Sequence, residues 1–302
     1  MKKIILVLIV QLACIKIVAQ SYEGLVKIDG ISQKVYFSDG SKNRAMQIAE
    51  EVAKAEVYFT KNFTVQPQYT LLILSKTDWQ KFAHPNAIYG IPHYLPDGRL
   101  VVASENNEFW KRSLPPLETL PKDIVEKIRN VYTDEKGEIS LKECFDLLAI
   151  HELGHAFQNA AKMNSQRNWM NELLCNILLH TYVAENNPKL LPALTLLPEI
   201  MEKNVNPSNL KYTKLEDFET YYNEIAQKHP DNYGWYQCKF HNAAAQIYNS
   251  GGADAMKQLW TLLLDEKTKL SEEQLNQRLS RKAPKAVNDL ITNWNKESSN
   301  NK

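Results

Sequence analysis

The chain has 302 residues, 44% hydrophobic and 24% charged, an ordinary globular composition that excludes a disordered or fibrous protein. Its 36 lysines and arginines against 35 aspartates and glutamates leave a formal charge of +1, which argues against a nucleic-acid surface or a polybasic membrane patch.

The chain opens on MKKIILVLIVQLACIKIVAQ, two lysines followed by an apolar run from Ile4 to Ile15 that Gln11 interrupts. That run is too short for a span, which needs about 20 apolar residues, so residues 1–19 read as a signal peptide cut after Ala19. Export to the periplasm or the exterior is the expectation. Lipid attachment at Cys14 is the less favoured alternative, because Gln11 stands where an apolar residue is expected. No other stretch is long and apolar enough to predict a stable membrane span.

From residue 21 to about 135 the pattern predicts an α/β lobe. YEGLVKI and KVYFS read as strands, NRAMQIAEEVAKAEVYFTKNF as a helix, TLLILS as a buried strand and TDWQKFA as a short helix. Pro96-Asp97-Gly98 marks a turn before a strand at Arg99 to Ser104, which is the candidate edge for binding an extended substrate. SLPPLETLPK reads as a connection, and DIVEKIRNVY as a helix.

Residues 136–302 predict a mainly helical lobe, with helical periodicity in LKECFDLLAIHELGHAFQNA, NWMNELLCNILLHTYVAE, LEDFETYYNEIAQ, YQCKFHNAAAQIY, ADAMKQLWTLLL and VNDLITNW. The fold class is therefore α+β. After the signal, Cys144, Cys175 and Cys238 remain, an odd number without Cys-x-x-Cys spacing, and they read as small apolar core residues.

The chemistry centres on HELGH at 151–155. On a helix, His151 and His155 lie one turn apart and point the same way, as two ligands to one metal ion must. Glu152 is rotated by roughly 100°, so its carboxylate can reach a water at the metal without ligating. A third ligand following as a histidine at the sixth position after His155 fails, because Ala161 stands there. A glutamate on the next helix succeeds: Glu172, in WMNE, is the first acidic residue after Glu152.

HELGH followed by WMNE resembles the gluzincin clan, the thermolysin-like peptidases and zinc aminopeptidases. The resemblance implies a zincin-like fold with the active-site cleft between the two lobes, and one Zn2+ bound by His151, His155 and Glu172. It implies hydrolysis of peptide bonds by a zinc-activated water with Glu152 as general base. The sixteen residues between His155 and Glu172 are fewer than those families have. Asn176, one turn after Glu172, stands where the clan often has an acidic partner for a ligating histidine.

The stretch NYGWYQCKFHNAAAQIYNSGG resembles the clan segment that supplies an oxyanion donor, with Tyr236 the better match and Tyr233 a close competitor. His84, His93, His180, His229 and His241 have no ligand spacing. The expected partner is a peptide or protein substrate. Ser104-Glu105-Asn106-Asn107 lacks the Gly and Met of the aminopeptidase amine-binding segment, which favours endopeptidase action. The rival readings are a zinc hydrolase of a non-peptide amide or ester, and a catalytically silent zincin-fold binding protein.

Overall fold

The unbroken apolar run at residues 71–74 forms the middle of a sheet covered on both faces. In the computed structural model, residues 21–30 and 33–300 are described, with side chains to Trp294. The signal peptide and Cys14 lie outside them. Among the described residues, five strands form one sheet: β1 (Val26–Lys27), β2 (Lys34–Phe37), β3 (Thr70–Leu74), β4 (His93–Tyr94) and β5 (Arg99–Ala103), in the order β1-β2-β3-β5-β4. The central pairs β2–β3 and β3–β5 are parallel, and the outer strands β1 and β4 pair antiparallel.

Side chains alternate across a strand, so β3 and β5 feed two cores. Leu71, Ile73, Leu100 and Val102 join one apolar cluster with the long helix α1 (Lys42–Phe63) and much of the helical half. Leu72, Leu74, Val101 and Ala103 join a second with Trp79 of α2 (Lys76–Phe82), Trp110 of α3 (Glu108–Arg112) and Ile128 of α4 (Lys122–Tyr132).

The strand expected to be the edge, Arg99 to Ser104, is interior: β5 lies between β3 and β4. The Pro-Asp-Gly turn is the reason. Gly98 N–H donates to Leu95 O at 2.8 Å, with Gly98 at φ 90, and this hairpin folds β4 back along the outside of β5. The edge is therefore the short strand His93–Tyr94.

The helical half is built on α5 (Lys142–Ala160) and α6 (Asn168–Asn186), both apolar nearly all round and correspondingly enclosed. They pack against each other, and α5 also touches β4 and β5, which brings the HELGH turn under the sheet edge. Arg44 on α1 clamps this arrangement: its Nε donates to Ala103 O at 3.1 Å, and its guanidinium pairs with Asp146 of α5.

Next comes α7 (Leu191–Asn204), a helix absent from the sequence reading, which carries Pro192 and Pro198. Pro192 sits harmlessly in the first turn. The helix carries Pro198 in its interior, where Leu194, Leu196, Leu197 and Ile200 bury its apolar face. After α8 (Leu215–Lys228), the two expected helices at 236–248 and 253–264 form one long element, α9 (Pro230–Asp265), broken at Gly252 with φ 56. The chain closes with α10 (Glu272–Lys282) and α11 (Lys285–Asn300). No helix among the described residues is long and apolar enough to cross a membrane.

Candidate metal centre and cleft

The link between α5 and α6 is short, and two residues with positive φ, Lys162 (49°) and Gln166 (63°), accomplish the reversal in seven positions, 161–167. Side chains hold it in place. Ser165 Oγ donates to Gln158 Oε1 at 2.7 Å, Gln158 Nε2 donates to Asn171 O at 3.1 Å, and Gln166 Nε2 reaches Thr268 O at 2.9 Å. Gln158, three residues after His155, thus ties the two helices together.

This reversal brings Glu172 back onto the HELGH turn. Its Oε2 lies 3.2 Å from His151 Nε2 and 3.7 Å from His155 Nε2. Ligand bonds of about 2.0–2.2 Å imply separations of about 3.3–3.6 Å between neighbouring donors of a tetrahedral ion, so one carboxylate oxygen already stands at near-ligand spacing from both rings. His151, Glu152 and Glu172 are all buried.

A second donor set shares the histidines. His151, His155 and Cys175 form a group, at least partly buried, whose ligand atoms lie within 4.8 Å of one another and which can hold a metal ion. Here the sulfur faces the other side of the ring, 3.3 Å from His155 Nδ1, and accepts from Gln158 Nε2 at 2.9 Å.

The electrostatics favour a cation at this point. Burial opposes a charged His155, yet the neighbouring Cys175 and Glu172 outweigh it and hold its pKa well above the usual range. Burial also raises the Cys175 thiol and so keeps it protonated, which leaves the Glu172 carboxylate as the group that holds a proton on His155. Glu172 is itself held well below the usual carboxylate range, against its burial, by His155 and then His151. Two neutral hydroxyl and amide donors complete its shell: Tyr222 Oη donates to Oε1 at 2.8 Å, and Gln237 Nε2 to Oε2 at 2.8 Å.

Glu152 projects into a cleft of about 800 Å³, lined among others by His84, Tyr94, Met163, Tyr222 and Tyr233. Burial raises its pKa, while His151, His155 and the Tyr94 backbone N–H pull it down and Glu172 pushes it up; the net direction is upward. His93 of the edge strand has a structural task. Its Nδ1 faces Ile91 O at 3.1 Å and its Nε2 accepts from His84 N at 3.1 Å, which pins the loop before β4.

Of the two tyrosines, Tyr233 reaches the cleft and Tyr236 does not. Tyr236 is fully buried, stacks on Trp294 and donates to Lys214 O at 2.7 Å. The reason is helical phase: three residues after Tyr233 on α9, its ring turns toward Phe218, Phe240 and Trp294 instead. Tyr233 Oη accepts from Gln237 Nε2 at 3.0 Å, and burial raises its pKa well above the usual range, so it remains a protonated donor.

Asn176 also departs from expectation. Among the described residues it hydrogen-bonds neither His151 nor His155. Its Nδ2 donates to Glu172 O at 3.0 Å and to Gln237 Oε1 at 3.1 Å, and its Oδ1 faces His241 Nδ1 at 3.2 Å. Tyr222 and Gln237 are the site residues that sequence reasoning misses, because nothing local marks them. Tyr222 follows a single non-helical residue in α8, Tyr221 (φ −113°, ψ 21°). His229 lies at the α8–α9 junction, 3.4 Å from Glu224 Oε1.

Compared with known proteins, the chain matches no protein-family model, no curated protein and no solved structure.

Proposed function

We propose that the chain is a zinc metallopeptidase of gluzincin type, with His151, His155 and Glu172 as the metal-holding residues. The observation that carries this reading is the single Glu172 oxygen 3.2 and 3.7 Å from the two HELGH imidazoles. Glu172 is preferred to Cys175 as the third donor because both Nε2 atoms face that oxygen, whereas the Cys175 sulfur meets His155 at its far nitrogen, Nδ1.

Zinc at this position supplies Lewis acidity, polarising a carbonyl and making water acidic near neutral pH. The protein does the rest. Glu152 is buried, raised in pKa and outside the donor set, so it is placed to accept a proton from the attacking water and pass it to the leaving nitrogen. Tyr233 accepts from Gln237, which leaves its own hydroxyl proton for an oxyanion in the cleft. The Tyr222 hydroxyl and the Gln237 amide keep the Glu172 carboxylate oriented toward the histidines.

The sheet edge supports a peptide as substrate. An edge strand offers backbone N–H and C=O groups to which an extended chain can add, and β4 lines the cleft beside Glu152. Internal cleavage is the expected mode.

Two measurements test the reading. The purified protein should carry one zinc, and a mixed peptide library read by mass spectrometry should show internal cleavage that Glu152→Gln abolishes while zinc is retained. Protein without zinc rejects the central claim. Zinc with no peptide cleavage, but with hydrolysis of small amides or esters, moves the assignment to a non-peptide hydrolase.

A further inference from the structure

The edge strand β4 lies in the stretch Ile91-Pro92-His93-Tyr94-Leu95-Pro96, with a proline two residues to either side of Tyr94. Both prolines, with Tyr94, line the cleft that holds Glu152. Their spacing matters because the backbone groups of a strand point alternately to its two sides.

The hairpin fixes the phase. Leu95 N–H donates to Arg99 O at 2.8 Å, so Leu95 turns its hydrogen-bonding groups toward β5. The antiparallel register sets His93 opposite Val101 and Tyr94 opposite Leu100, and hydrogen-bonded and non-hydrogen-bonded pairs alternate along such a ladder. His93 therefore also bonds inward, and Tyr94 turns both its N–H and its C=O away from β5. The far side of β5 agrees: Thr70 N–H donates to Gly98 O at 2.8 Å, and the parallel register then gives the backbone groups of Leu100 to β3, leaving none for Tyr94.

Outward positions recur every second residue, about 6.6–7 Å apart, so the rungs next to Tyr94 fall on Pro92 and Pro96. Neither has an N–H. Each ring also places its Cδ where that hydrogen would point, which keeps an incoming carbonyl from approaching the nitrogen. Proline on an edge strand stops further strands from adding, and at this edge the strand that is stopped is one entering the cleft. Tyr94 itself is anchored on the HELGH helix: its Oη accepts from Asn159 Nδ2 at 3.0 Å, two turns beyond Glu152 on α5.

We propose that Pro92 and Pro96 are specificity-determining residues that limit main-chain recognition of the substrate to one complete rung, at Tyr94. The substrate class is a short or irregular peptide segment held there by a single pair of backbone hydrogen bonds, and not a long strand laid along the sheet. A substrate residue opposite either proline finds a carbonyl to donate to but no N–H to accept from, so its own carbonyl stays with water. The inference rests on the reading of this cleft as the peptide site of a hydrolase.

The test is a thioamide scan. In a peptide that the enzyme cleaves, each carbonyl outside the scissile bond is replaced in turn by the weakly accepting C=S group. For wild type, kcat/KM should fall at one position only, by about 2–10-fold, the worth of one hydrogen bond. Pro92→Ala and Pro96→Ala should each add one further sensitive position, two residues from the first and on opposite sides of it. Sensitivity at alternate positions in wild type, or at none, overturns the proposal, and so does an alanine variant that unfolds like wild type and keeps the wild-type pattern. The same scan is read as dissociation constants on Glu152→Gln, which needs no turnover. If wild type cleaves no peptide, the hydrolase reading fails, and the number of sensitive positions in binding still decides the rung; absence of any peptide binding overturns it as well.

Discussion

Gly154 on α5 faces Cys175 on α6 across a helix crossing so tight that a Cβ on the glycine would stand 3.0 Å from Cys175 Sγ and 3.3 Å from Cys175 Cα. The glycine of HELGH is thus a packing requirement that sets how near Glu172 comes to the two histidines. Gly154→Ala gains about 1 kcal/mol of helix propensity, but overpacking a close helix crossing costs about 1–3 kcal/mol. We expect a net loss of about 1 kcal/mol in denaturant unfolding and weaker metal binding. A variant that is more stable and binds metal as well as wild type would show that the crossing has slack.

Glu172 and Cys175 lie one turn apart and compete for the role of third donor. Metal content measured after dialysis against a weak chelator should fall to near zero in Glu172→Ala and persist in Cys175→Ser. The reverse result would make the centre a His-His-Cys site.

On the proposed peptidase reading, Tyr233 and Tyr236 should separate catalysis from packing. Tyr233→Phe should lower kcat by about 10²–10³-fold, the usual loss for one oxyanion donor, with little change in stability. Tyr236→Phe removes the partner of the Lys214 carbonyl, and should cost about 1–3 kcal/mol of stability while leaving turnover close to wild type. Steady-state kinetics and urea unfolding on both variants check the pair; matching effects on both observables would reject the assignment.

His180 makes acid stability measurable. Burial lowers its pKa from 6.5 to about 4, so between those values the unfolded chain takes up a proton that the folded protein does not. Stability attributable to this ring is complete above about pH 6.5 and falls as the pH drops to about 4, by on the order of 3 kcal/mol. His180→Leu should flatten the fall in the urea midpoint between pH 7 and pH 4.5. An unchanged slope would show that other groups govern the acid limb.

Local order was the legible part of this chain. The spacing of His151 and His155, the intervening Glu152 and the apolar content of their helix are all fixed within a few residues, and so can be read from them directly. The Pro-Asp-Gly turn is equally visible, but a two-residue strand such as His93–Tyr94 has too little pattern to show, so the sequence points to the longer strand beside it as the edge. Helix α7 was hidden by its prolines, whose effect on a helix depends on what the opposite face buries.

The sequence by itself determined which side chains lie on one face of the HELGH helix, because a 3.6-residue repeat orders neighbours without help from the rest of the protein. Tertiary structure decided everything that depends on two helices meeting: that Glu172 returns to both imidazoles, that Tyr233 and not Tyr236 enters the cleft, that Tyr222 and Gln237 hold the carboxylate, and that Asn176 turns to His241. Those contacts join residues separated by 17 to 65 positions, and their geometry follows from the packing of Gly154 against Cys175 and the phase of α9, neither of which leaves a periodic mark in the chain.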